Sequence, residues 1–121
     1  MTLVTNKIGV VGEKIASNFL LKNGYKLLNK NYRTKYGEID LIALKNNVIH
    51  FIEVKTKTSN LPIYPYEAVN DKKITKIKHV INIYLKNMNY EDKKLSIDVF
   101  SIILDKDNEI KDLKIFENIT N

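Results

Sequence analysis

The chain has no cysteine, two prolines, four glycines and a single arginine. Without cysteine there is no disulfide framework and no thiolate zinc site. No apolar run reaches the roughly 20 residues of a membrane helix. The N-terminal apolar residues are interrupted by Asn6, Lys7, Glu13 and Lys14 with no cleavage-type ending, so a secretory signal is not expected. Internal repeats, low-complexity runs and Gly/Ser linkers are also missing. The 121 residues therefore read as one domain, 1–121, of a size that buries a core. The expectation is a cytoplasmic protein with no membrane association.

Charge is present in excess and is unevenly placed. The net charge is +6; residues 1–60 hold 10 basic and 4 acidic side chains, whereas residues 61–121 hold 10 of each. A basic half points to an anionic partner, nucleic acid being the usual one. Solvated lysines in a Lys-, Asn- and Ile-rich composition are the competing explanation.

The hydrophobic pattern predicts seven elements. Ile8, Val11, Ile15, Phe19 and Leu20 recur at helical spacing over 6–23, and Gly24 stands where a left-handed cap belongs. Strands are expected at 25–33, 38–44 and 48–56, then a loop at 59–66 containing both prolines. A second helix is expected from about Glu67 to Asn87, followed by strands at 95–104 and 110–116. The order αβββαββ implies an α/β fold, a mixed β-sheet flanked by helices, with a parallel crossover through the second helix.

A hairpin centred on Asn46-Asn47 would pair residues whose numbers sum to 93, setting Ile42 against Phe51 and Asp40 against Glu53. Asp40, Glu53 and Lys55 would then share a face with Ile42 and Phe51. The opposite face would carry Ile39, Leu41, Ala43, Ile52, Val54 and His50. Two carboxylates about 5 Å apart repel by roughly 3 kcal/mol at an effective dielectric of 20. Three readings are open on the pattern alone. A divalent cation such as Mg²⁺ or Mn²⁺ lies between the acids; the register slips by one, separating them; or both face water, neutralised by Lys55 or Arg33.

Beyond this pattern, "GEID" at 37–40 followed by "EVK" at 53–55 resembles the D-x(n)-E-x-K motif of the PD-(D/E)XK nuclease superfamily. "GVVGEKIASNFLLKNGYKLLNKNYR" (9–33), "GEIDLIAL" (37–44), "FIEVKTK" (51–57), "YEAVNDKK" (66–73) and "SIDVFSI" (96–102) follow in an order similar to the small bacterial YraN-like family, related to archaeal Holliday-junction resolvases. Gly-Glu-Ile precedes Asp40 where the superfamily commonly has a proline. The resemblance implies a restriction-endonuclease-like core and a metal-dependent endonuclease acting on DNA, branched or single-stranded. It makes Asp40, Glu53 and the Val54 carbonyl ligands of Mg²⁺ or Mn²⁺, and Lys55 the residue that orients or deprotonates the attacking water or stabilises the pentacovalent phosphate. Glu13, on a helix face with Gly9, Gly12, Ala16 and Ser17, would complete the metal site. A homodimer is implied by the related resolvases.

Arg33, Lys57 and Lys73 are the candidate nucleic-acid contacts, with Lys72 and Lys76 beside Lys73 on the same helix. Glu67 is a helix N-terminal acid that could also shape the site. Asp98 is expected to make a structural hydrogen bond, and His50 and His79 are read as structural. The alternatives are a non-catalytic nucleic-acid-binding module that keeps the nuclease fold, and an interaction protein whose basic half docks on an acidic partner.

Overall fold

In the computed structural model the described residues are 3–58, 70–90 and 92–119, with side chains from Ile8 onward. Their elements run α1 (Leu3–Lys22), β1 (Lys26–Thr34), β2 (Gly37–Lys45), β3 (Val48–Thr58), α2 (Asp71–Met88), β4 (Lys94–Leu104) and β5 (Ile110–Phe116). This is the expected order. The proline loop at 59–66 and the helix start at Glu67 lie outside the described residues.

Helix α1 stops where Gly24 turns left-handed (φ +83°) and the Tyr25 N–H donates to the Leu20 carbonyl at 3.0 Å. Helix α2 begins at Asp71 because the extended Asn70 accepts the Lys73 N–H on its side chain at 3.0 Å. It ends at Met88 because Asn89 adopts φ +55°. Both α2 boundaries rest on asparagine, a residue that caps helices and tolerates the left-handed region.

The strands form one sheet in the order β1-β2-β3-β4-β5. Only β3 and β4 run parallel, with α2 as the connection between them; the other neighbours are antiparallel. The β2–β3 register is the expected one, from Lys45↔Val48 to Leu41↔Ile52. Asn46 (φ +52°) and Asn47 (φ +65°) form the tight turn that sets it.

Each face of the sheet is covered by one helix. Ile77, Val80, Ile81, Tyr84 and Leu85 of α2 bury against Ile39, Ile42, Ile49, Phe51 and Ile97. Ala16 and Leu20 of α1 bury against Leu41, Ala43, Ile52, Phe100, Ile102 and Leu104. Burying each such Leu, Ile or Phe contributes about 1.5–3 kcal/mol relative to exposure.

Strict alternation fails within β2. Ile39 and Ile42 both lie under α2, and Leu41 lies under α1, so two residues rather than one separate the α2-facing positions. The expectation that Asp40 shares the face of Ile42 is therefore corrected: Asp40 lines a cleft with Ile8, Gly9 and Glu13 of α1. The cause is visible on β1. Asn31, between the pairs Lys30↔Leu41 and Tyr32↔Ile39 and thus opposite Asp40, has φ +51° and interrupts the regular strand.

Helix α1 can approach β3 closely because Gly12 has no side chain. A Cβ there would fall on the hydroxyl, Cβ and methyl of Thr56, which no rotation of the threonine relieves. Gly9 does not share this role, since a Cβ on it would meet nothing within 4 Å. Gly12→Ala should consequently lower stability by about 1–3 kcal/mol through overpacking, whereas Gly9→Ala should raise it by about 0.5–1 kcal/mol through helix propensity. Thermal denaturation of the two variants checks this; equal shifts would show that Gly12 does not set the spacing.

Candidate active site

Strand β2 pairs with β3 only as far as Leu41↔Ile52, and beyond that point, among the described residues, β3 pairs with β4 alone. The β2-side edge of residues 53–57 opens into a cleft of about 670 Å³ lined by Glu13, Asp40, Glu53, Val54, Lys55 and Thr56, among others. One group bridges the parting strands: the Val54 N–H donates to Asp40 Oδ2 at 2.8 Å. In an extended strand a residue's N–H and C=O face the same edge, so the Val54 carbonyl opens toward the cleft as well.

The Asp40 carboxyl is pushed up to about 8. Burial is the largest cause, followed by its hydrogen bond with Glu53 and the Glu53 charge; the Val54 N–H opposes these. Glu13 is raised by burial and by Glu38 and Glu53, and is lowered by Asn31 and Arg33. Lys55 is half-buried and lowered, first by burial, then by the neighbouring Lys73, with Glu53 and Asp40 opposing. Burial and mutual repulsion thus raise two of the acids here, beside a lysine that gives up its proton more readily than usual.

The residues singled out from the sequence divide into two sets. Asp40, Glu53, Val54, Lys55, Lys57 and Glu13 all line the cleft. Arg33 does not line the cleft; it is 74% exposed, with Nε 3.3 Å from Glu38 Oε2. Lys73 reaches across from α2 to put Nζ 3.4 Å from Glu53 Oε2. Among the described residues no three His, Cys, Asp or Glu side chains converge as a ready-made metal triplet. Glu13 thus shares the cleft with the Asp40–Glu53 pair without closing on it.

The oxygen donors do fit a hard divalent cation. Two carboxyls whose mutual repulsion helps hold Asp40 protonated, with a main-chain carbonyl on the same edge, are what Mg²⁺ or Mn²⁺ selects. Asp40, Glu53 and the Val54 carbonyl would hold it.

Asn31 is the residue sequence reasoning missed. With its amide nitrogen turned toward the acids, it donates to Glu13 Oε1 at 3.3 Å and to Glu38 Oε1 at 3.0 Å. The only signal was its place in "NKNY", where an asparagine inside a strand invites positive φ. Asp98, by contrast, has the structural part expected of it. It is buried at 1% exposure and accepts from His50 Nδ1 (2.7 Å), Ser96 Oγ (2.5 Å) and the Asn118 N–H (3.0 Å). None of these residues lines the cleft.

Residues 12–102, which include every cleft residue from Glu13 to Lys57 as well as Lys73, match the family described as uncharacterised protein family UPF0102. The chain belongs to the UPF0102, or YraN-like, family. Among UPF0102 proteins, that of Caldanaerobacter subterraneus subsp. tengcongensis is 45% identical over 97 residues, covering 80% of each chain. The Fusobacterium nucleatum protein is 42% identical over 109 residues, 90% of this chain and 92% of its own. The Clostridium acetobutylicum protein is 38% identical over 118 residues, 98% and 97% respectively. UPF0102 membership thus extends over nearly the full length of the chain. No helix among the described residues is long and apolar enough to cross a membrane.

The raised Asp40 carboxyl has a consequence for stability. Its unfolded value is near 3.8 and its folded value about 8, so between these pH values the folded state holds a proton that the unfolded state has released. Stability of the chelator-treated protein should fall as pH rises through that window, at most by about 1.4 kcal/mol per pH unit, and level off above it. Asp40→Asn keeps an acceptor for the Val54 N–H and removes the titration. Its melting temperature should exceed wild type above about pH 6 and flatten with pH; an unchanged slope from pH 4 to 8 would count against the assignment.

Proposed function

We propose that this UPF0102 protein is a Mg²⁺- or Mn²⁺-dependent endonuclease of PD-(D/E)XK type acting on DNA. The observation that carries the reading is the constellation at the parting of β2 and β3. There Asp40 bonds the Val54 N–H at 2.8 Å, Glu53 stands against Asp40, and Lys55 follows two residues later with a lowered pKa. A divalent ion bound there supplies charge stabilisation for phosphoryl oxygens and lowers the pKa of its water.

The chain's own residues account for the rest of the chemistry. Asp40 and Glu53 fix the donor geometry, and Asp40 is itself fixed by the Val54 N–H. Lys55 orients the attacking water or takes its proton, and in its protonated form it stabilises charge on the pentacovalent phosphate. Lys57 lines the cleft and the exposed Arg33 stands beside Glu38; both would meet the phosphodiester backbone. Related resolvases act as dimers, so a homodimer is part of the proposal.

A second reading is favoured by one contact. Glu53 already pairs with Lys73, so the cleft can be neutralised without a metal, as a non-catalytic nucleic-acid-binding module would require. The two readings separate on one experiment. The protein is incubated with Mn²⁺ and single-stranded, duplex, flapped and four-way DNAs, beside Glu53→Gln. The nuclease reading expects wild type to cut at least one substrate and Glu53→Gln to cut it about 10²-fold or more slowly, with most DNA affinity kept. Cleavage by Glu53→Gln at the wild-type rate overturns it. Salt-dependent binding with no cleavage and no response to Mn²⁺ makes the protein a binding module.

A further inference from the structure

The turn between β1 and β2 carries an aromatic pair that the cleft chemistry leaves unused. Tyr36 is 45% exposed, and the exposed His79 of α2 stacks on it with ring centres 5.3 Å apart and planes inclined by 22°. Lys35 Nζ lies 5.2 Å from the Tyr36 ring centre. The two aromatic rings, one from the hairpin turn and one from α2, stand at the protein surface among lysines.

Their position relates them to the cleft. Tyr36 lines a recess of about 110 Å³ whose walls also include Glu38, Glu53, Lys73 and Lys76. Glu53 borders both this recess and the larger cleft, so the two spaces meet at the residue central to the proposed chemistry. The turn that presents Tyr36 is fixed beforehand. The Tyr36 N–H donates to Thr34 Oγ1 at 3.0 Å, that hydroxyl reaches the Gly37 carbonyl at 3.4 Å, and Gly37 has φ +145°, a value side chains disfavour. A ring held in place in the free protein loses little freedom when a ligand stacks on it.

We propose that Tyr36 and His79 form a stacking platform for an unpaired base of single-stranded DNA, with Lys35 and Lys76 contacting its backbone. Flat rings flanked by ammonium groups are the usual combination for single strands, since every base offers a π-face and every linkage a negative charge. In a duplex those π-faces are occupied by neighbouring base pairs, so the platform selects a strand that is already unpaired. The inference rests on the nuclease reading only for placing the scissile phosphate near Glu53; the platform itself is tested without cleavage.

The experiment measures fluorescence anisotropy in chelator with two strands of about 12 nucleotides. One is oligothymidylate and the other is an abasic strand of equal length and charge. Wild type is expected to bind the thymidylate strand about tenfold more tightly. Tyr36→Leu, which keeps an apolar contact with His79, should abolish that preference while leaving abasic-strand affinity and melting temperature as in wild type. Tyr36→Phe should retain the preference. If Tyr36→Leu fails to fold, His79→Ala takes its place in the same comparison. Equal wild-type affinity for the two strands, binding of neither, or an intact preference in the variant overturns the platform. Mn²⁺-dependent duplex cleavage lost in Glu53→Gln, combined with any of those results, would leave the nuclease reading standing without the platform.

Discussion

The Val54 N–H is donated to a side chain, Asp40, at the point where a regular sheet would donate it to a main-chain carbonyl of β2. Had the β2–β3 ladder continued past Leu41↔Ile52, the edge of residues 53–57 would be closed by backbone hydrogen bonds, with no cleft between α1 and β3. Had the ladder stopped without Asp40, the Val54 N–H would be a half-buried donor lacking a partner, at a cost of about 1–3 kcal/mol. Asp40 resolves both difficulties. It ends the pairing and satisfies the orphaned donor, and in doing so it is oriented for whatever the cleft binds.

That substitution depends on β1. Asn31 stands opposite Asp40 with φ +51°, and the alternation of β2 is offset beside it. The same asparagine then bridges Glu13 and Glu38 with its amide. One residue thus supplies the backbone irregularity that frees Asp40 and the donor that steadies the acid on α1. Gly12 supplies the remaining condition by letting α1 come close enough to β3 for Glu13 to share the cleft.

The legibility of these features in the sequence follows from how local their causes are. Helix and strand positions were readable because apolar periodicity reports which faces are buried, and the β2–β3 register was readable because Asn46-Asn47 suits one turn type. Asp40, Glu53 and Lys55 stood out as ionic residues interrupting apolar strands. The face on which Asp40 lies was not readable, because alternation holds only within an unbroken ladder and the break is caused by a residue on another strand. The start of α2 expected at Glu67 lies outside the described residues, and the Asn70 cap before Asp71 was not readable, since apolar periodicity does not mark a cap. The Lys73–Glu53 contact needed the packing angle of α2 on the sheet, which no local pattern encodes.

Lys73 also reconciles two descriptions of the cleft. From the sequence it is a phosphate contact; in the structure it is the counter-ion of Glu53. The acids Glu13, Glu38, Asp40 and Glu53 are spread along this site, and their charge is countered by Lys73 on Glu53, by Arg33 on Glu38, by the nearby Lys55 and by the proton that Asp40 retains. On the nuclease reading, Asp40 and Glu53 would hold a divalent cation, and its charge would take the place of that proton and of the Lys73 contact. Lys73 would then be free to turn toward a phosphate. Because Lys73 is anchored by the Asn70 cap at the start of α2, it moves only through its flexible side chain. On that reading the same ammonium would serve Glu53 in the free protein and a phosphate in the complex.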